Sequence, residues 1–222
     1  RTLNNKHQIH LVRYADDFIV TANNSEILKS KIIPAIVEFL IIRGLQLSTE
    51  KTVITNINKG FNFLGFNFRK YNQKLLIKPS KQSIKSVKSK IADITKKLSS
   101  AKTDEYITTI NSVLRGWGYY FRTVVAKETY NKIDSFVFNR IVRWCKRKHP
   151  RKQWYWIKQK YFRTTEKCNW VFTGEKQSIF KLSKIQIRRH IKIVGNANPF
   201  TDLHYFNERK LCKTYASCAN KI

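Results

Sequence analysis

At Pro79 the spacing of apolar residues changes, and that change divides the chain into two kinds of structure. Beyond it, Ile84, Val87, Ile91, Ile94 and Leu98 recur at steps of 3, 4, 3 and 4 residues. Such steps lay one apolar stripe along an α-helix. Thr103 offers a cap for a second helix, and Asp104 and Glu105 suit its first turn. Tyr106, Ile110, Val113, Trp117 and Phe121 carry its stripe. Tyr130, Ile133, Val137, Ile141 and Trp144 carry a third. Three amphipathic helices with short links predict a small helical bundle.

Before Pro79 the pattern is shorter and mixed. Residues 9–22 are two β-prone runs around Asp16-Asp17, which predicts a hairpin with two carboxylates at its bend. Ser25 suits the cap of a helix toward Arg43, with Pro34 as a kink or break and Gly44 as its C-terminal stop. Residues 52–57 read as a strand, Lys59-Gly60 as a turn, and 61–68 as a second strand in which Gly65 permits a close backbone approach. Residues 75–78 read as a further short strand. The fold class is therefore α+β. Residues 1–78 form a mixed module, 79–150 a helical bundle and 151–222 a basic C-terminal extension.

Charge narrows the function. Lys and Arg number 44 against 14 Asp and Glu, a formal net charge of +30. A folded chain with that excess repels itself and calls for a polyanionic partner, nucleic acid first. With 42% hydrophobic residues it is no disordered basic tail, and 7 Gly with 4 Pro exclude a collagen or linker chain. Arg140, Arg143, Lys146, Arg147, Lys148, Arg151, Lys152, Lys158, Lys160 and Arg163 occur in one stretch without an acid. Trp144, Trp154, Tyr155, Trp156, Tyr161 and Phe162 interleave with them. Cations supply phosphate contacts and flat rings supply stacking surfaces for bases. The plainer alternative makes the rings core and the bases a solvated rim. Arg115 and Arg122, seven apart, share roughly one face of the second helix, and a second basic run contains Arg188, Arg189 and His190. His149 reads as a surface histidine.

Cys145, Cys168, Cys212 and Cys218 are widely spaced and form no C-x-x-C pair, so reduced thiols are expected and a zinc site is not. The most apolar segment, 32–45, is broken by Pro34, Glu38 and Arg43, and no membrane span is expected. The chain opens at Arg1 and contains no Met, which reads as a processed product, a separately encoded piece or an artificial fragment. Its lean to Lys, Ile, Asn, Phe and Tyr follows AT-rich codons and suggests an organellar origin, mitochondrial first.

Carboxylates are hard ligands suited to Mg²⁺, and paired metals can activate a 3′-hydroxyl and stabilise a leaving pyrophosphate. Two aspartates in a turn are common, however, and alone read as turn residues. Their neighbours change that. Tyr14-Ala15-Asp16-Asp17 between apolar strands resembles the metal-binding hairpin of reverse transcriptases. The run Arg43-Gly44-Leu45-Gln46-Leu47-Ser48-Thr49-Glu50-Lys51-Thr52 is similar to that family's next block. Gly60-Phe61-Asn62-Phe63-Leu64-Gly65-Phe66 is similar to the one after, near the primer terminus. Lys78-Pro79-Ser80, Leu114-Arg115-Gly116-Trp117 and Tyr119-Tyr120-Phe121 resemble the thumb, or X domain, of group II intron maturases. Residues 144–150 and 156–162 resemble the stretch beyond it. Over residues 9–210 the chain is thus identified as a member of the group II intron maturase/reverse-transcriptase family, in its C-terminal half.

The resemblance implies the end of a palm, a thumb and an adjoining basic region. It also implies a template or primer role for Lys51 and Gly65; from charge and rings, RNA contacts are expected of Arg115, Arg122, Arg188, Arg189, the cations from Arg140 to Lys160, Trp154 and Trp156. Asp16 and Asp17 would be catalytic Mg²⁺ ligands only if complemented, because the family's fingers and earlier aspartate block do not occur in this sequence. By itself the chain is therefore expected not to polymerise DNA. Cys212 and Cys218 lack the spacing of the nuclease some relatives carry. The expected partners are structured intron RNA and a second protein chain completing the palm. The alternative is a non-enzymatic, maturase-derived subunit of a larger ribonucleoprotein, such as an organellar ribosome, bound to ribosomal RNA.

Overall fold

The structure, a computed structural model, describes residues 8–165, 168–188, 193 and 197–211. Packing divides the chain between Asn56 and Ile57.

The first unit opens with an antiparallel hairpin of β1 (His10–Tyr14) and β2 (Asp17–Thr21). Tyr14 pairs with Asp17 across a two-residue bend, in which Ala15 takes φ 49°. The helix that follows is continuous: α1 (Ser25–Ile27) passes through a π-helical turn, Leu28–Ile32, into α2 (Ile33–Ile41). Proline lacks an N–H and its ring crowds the carbonyl four residues back. The wider π turn just before Pro34 accommodates both, so the helix absorbs the proline without breaking. The cap is Asn24 rather than Ser25: the Glu26 amide donates to Asn24 Oδ1 at 2.9 Å. Gly44, at φ 66°, ends the helix as expected. Leu45 N donates to the Leu40 carbonyl and Gly44 N to that of Ile41, the Schellman pattern.

No described residue of this unit is buried. Leu11, Tyr14, Ile42 and Val53 are each more than half exposed. The strand expected at 52–57 does not form; residues 52–56 are irregular. A strand persists only where a ladder takes up its backbone groups, and no described strand pairs with this segment. The Thr52 amide turns back onto the Ser48 carbonyl instead.

The second unit begins with a meander of β3 (Phe61–Phe63), β4 (Phe66–Tyr71) and β5 (Lys74–Pro79). The single strand expected over 61–68 is two strands. Leu64 and Gly65, at φ 50° and 79°, form a two-residue hairpin loop. Phe61 then stacks on Phe68 at 5.3 Å. A Cβ on Gly65 would lie 3.6 Å from Phe121 Cζ, an ordinary contact. Its left-handed φ, not a close approach, is what calls for glycine.

The three expected stripes become α3 (Lys81–Lys97), α4 (Thr103–Tyr120) and α5 (Lys127–Lys148). Ser80 caps α3, its hydroxyl accepting from the Ser83 amide. Ile91, Ile107, Ile110, Leu114, Ile133 and Ile141 are essentially fully buried. Each such aliphatic side chain stabilises the fold by about 1.5–3 kcal/mol. The same core takes in α6 (Trp154–Tyr161), β6 (Phe162–Thr165) and β7 (Cys168–Phe172), which no periodicity announced. It ends at Leu182 and Ile185, around a 3₁₀ turn at Leu182–Lys184. Residues that the sequence divides between bundle and extension thus share one apolar interior. A last helix, α7 (Leu203–Leu211), also lacked a sequence signal. No helix among the described residues is long and apolar enough to cross a membrane.

Candidate nucleic-acid interface

Asp16 sits in the β1–β2 bend and Asp17 opens β2, both exposed. The register of the two strands fixes their positions. Mg²⁺ is served by one or two carboxylates only when phosphates and waters fill its remaining positions. No group of three or more metal-ligating side chains occurs among the described residues. The pair therefore falls short of a metal cage, and no chemical step follows from it. Lys51, in the same unit, is exposed in the turn after Ser48.

The second unit presents its cations differently. Along α5, Arg143, Lys146 and Arg147 are exposed, and Arg151 and Lys152 continue the surface past the helix end. None makes an ion pair with a carboxylate among the described residues; Lys132–Glu128 and His204–Glu208 are the pairs found there. Arg140 and Lys88 both approach the Phe136 ring, at 4.9 and 5.4 Å. Lys148 is set apart from this surface. Its ammonium donates to the Ala101 carbonyl at 2.6 Å and lies 4.6 Å from the Trp144 ring centre, and desolvation, then Lys160, lowers its pKa.

On α6 the rings are anchored and the cations lie over them. Trp156 packs at the edge of the core beside His149, with Lys152 and Lys160 5.4 and 4.8 Å from its centre. Trp154 packs on Phe162 and Trp170, and Lys158 lies 4.7 Å from the Trp170 centre. The ring bodies complete the core, and the charged heads stand outward on apolar stems. Sequence reasoning missed Trp170, which is 43% exposed at φ 58°. His149 is half-buried against the Tyr161 hydroxyl at 2.7 Å, not a plain surface histidine.

A third group lies where α4 ends. Arg122 falls beyond the helix, which stops at Tyr120, so a common helical face does not relate it to Arg115. Rings relate them instead: Arg115 lies over Phe180, Phe180 neighbours Tyr119, and Arg122 lies over Tyr119. The Arg188 amide donates to the Arg122 carbonyl at 2.8 Å. Arg189 and His190 lie outside the described residues, as do Cys212 and Cys218.

The segment carrying Phe180 is held down by side chains with no periodic signature. Asp104 lies in the first turn of α4 as expected, and its carboxylate also accepts from the amides of Glu175 and Lys176. Those amides, Lys176 first, hold its carboxyl below the usual carboxylate range. Buried Asn111 accepts from the Phe180 amide at 2.7 Å and donates to the Ser178 carbonyl at 3.0 Å. Asp134 accepts from the amides of Leu182 and Ser183.

Two family models match this chain. Residues 1–68 match the reverse transcriptase (RNA-dependent DNA polymerase), and residues 84–162 match the maturase-specific domain of group II introns. The chain belongs to the group II intron maturase/reverse-transcriptase family. No curated protein matches it. In this family member the carboxylate hairpin falls within the reverse-transcriptase match, while α5 and all of α6 fall within the maturase match. The segment bearing Phe180 and Arg188 lies beyond both.

Proposed function

We propose that this chain binds folded group II intron RNA and assists its splicing, with the α5–α6 surface as the main contact. The observation that carries the reading is the run of exposed cations Arg143, Lys146, Arg147, Arg151 and Lys152, none paired with a described carboxylate. Unspent cations of that density gain most from phosphates, whose bound counterions they release. The maturase match over the same helices supplies the class of RNA.

The reading has three further parts. The first unit, with exposed apolar side chains and no buried residue among those described, takes a complementary protein segment that completes the palm. Asp16 and Asp17 would hold Mg²⁺ once that segment supplied a further carboxylate. The codon lean of the composition suits an organellar, mitochondrial setting.

The test is equilibrium binding of the full chain to a folded group II intron transcript across a salt series, beside a splicing assay. The variant Lys146→Ala/Arg147→Ala/Lys152→Ala should weaken binding at least tenfold. It should also reduce the slope of log affinity against log salt by about 1 per cation removed. Unchanged affinity and slope, or tighter retention by ribosomal RNA than by intron RNA, overturns the reading.

A further inference from the structure

A segment outside both family matches is fastened to the bundle by three separate polar side chains, Asp104, Asn111 and Asp134. Leu182 and Ile185 also pack so close to Gly118 that a Cβ there would lie within 2.5 Å of both. An ordinary surface loop does not require this. Its consequence is the fixed position of Phe180, whose amide is held by buried Asn111 and whose ring receives the Arg115 guanidinium at 5.3 Å. Tyr119, 49% exposed, neighbours Phe180 at 6.2 Å and receives Arg122 at 5.6 Å.

The result is a ladder in which two guanidiniums flank two adjacent rings. A guanidinium that rests on a ring keeps its N–H groups in the ring plane direction, free to donate. Neither Arg115 nor Arg122 makes a side-chain hydrogen bond or ion pair among the described residues, so their donors are unspent. Arg188 is exposed and joined to the group through its amide. Planar forks held in place, with no internal acceptor, suit the paired oxygens of a phosphodiester.

We propose that Arg115, Tyr119, Arg122, Phe180 and Arg188 form a second RNA-backbone site, built jointly by α4 and the fastened segment and separate from the α5–α6 surface. It rests on the RNA-binding reading above. It extends that reading by giving the 178–188 segment a function: to hold two arginines ready for phosphates. Phosphate contacts carry no sequence information, so the site serves any folded RNA presented to it.

Binding of the full chain to two fluorescein-labelled probes tests this: a folded group II intron transcript and a 20-base-pair RNA duplex of unrelated sequence. Arg115→Ala/Arg122→Ala should weaken binding to both about tenfold and lower the salt slope by about 2. Arg115→Lys/Arg122→Lys should keep the slope and lose affinity, because lysine retains the charge without the fork. The control Lys29→Ala/Lys31→Ala removes the same charge from exposed positions elsewhere and should change little. Melting curves matching the parent confirm that each variant folds. A ladder variant with parental affinity and slope, or a loss no larger than the control's, overturns the proposal, and leaves the broader reading intact if the α5 variant still responds. A parent chain that binds neither probe overturns both.

Discussion

Tyr106 and Trp144 lie face to face in the interior, 4.7 Å between ring centres and 9° between planes. Both are fully buried, and each polar tip has a partner. Trp144 Nε1 donates to the Leu98 carbonyl at 2.6 Å, and the Tyr106 hydroxyl meets Thr95 Oγ1 at 3.1 Å. Burial pushes the Tyr106 hydroxyl up to about 12. The stacked pair ties α4 to α5, and the indole N–H ties both to the end of α3. Trp144→Ala should cost about 3–5 kcal/mol, from lost burial plus a cavity. Trp144→Phe should cost less, because the Leu98 carbonyl loses the indole donor but keeps the Ala101 amide at 3.3 Å. Urea denaturation followed by circular dichroism measures both.

The β3–β4 bend makes a narrower prediction. Gly65→Ala meets no steric obstacle, so its cost is the left-handed backbone alone, about 1–2 kcal/mol. Gly65→Asn should lose less, because asparagine tolerates that region. Comparison of the two in the same urea titration separates the backbone explanation from a packing one. Equal losses would favour packing.

The limits of the sequence reading follow from the same kinds of interaction. Stripes such as Ile84 to Leu98 announce a helix because burial repeats with the helical period. The two-residue loop at Leu64-Gly65 was hidden because aromatic residues continue on both sides without a strong turn pair such as Asn-Gly. The fastened segment was invisible for a deeper reason. Asn111, Asp104 and Asp134 act on backbone amides 48 to 72 residues away, and such bonds leave no local pattern. In the candidate site, Arg115 and Arg122 were legible as basic residues seven apart. Their link through Tyr119 and Phe180 was not, because it depends on where α4 stops and on what lies against it.

Cys145 gives a test of burial that needs no partner. It is a free thiol, fully buried on α5, and desolvation pushes it up to about 12. Thiolate, not thiol, is the alkylated species. At pH 8 iodoacetamide should leave Cys145 unmodified in the folded chain and modify it in urea, read by peptide mass mapping. Labelling of Cys145 under native conditions would mean that α5 opens locally.

Asp16 and Asp17 separate fold from chemistry. Both are exposed at a hairpin tip, and surface changes of that kind usually alter stability by no more than about 0.5 kcal/mol. Asp16→Asn/Asp17→Asn should therefore melt with the parent chain and bind intron RNA at least as tightly, since two negative charges are removed. A marked loss of RNA binding would place the hairpin within the RNA contact surface.

His149 supplies the pH dependence. Its ring nitrogen lies 2.7 Å from the Tyr161 hydroxyl, beside Trp156. Desolvation, followed by the neighbouring Lys160, Lys148 and Lys152 cations, lowers its pKa below the ordinary histidine value of 6.5. Above pH 6.5 the imidazole is neutral in both folded and unfolded chains and imposes no penalty. As the pH falls below 6.5 the unfolded chain takes the proton first, so the folded state loses stability. The loss continues until the folded ring also titrates, at its lowered pKa, and then levels off. His149→Gln keeps a polar partner for Tyr161 but does not titrate. Melting temperatures at pH 7.5 and 5.5 should therefore fall further for the parent than for His149→Gln. Equal falls would show that neither burial nor the three lysines lower the pKa of this ring.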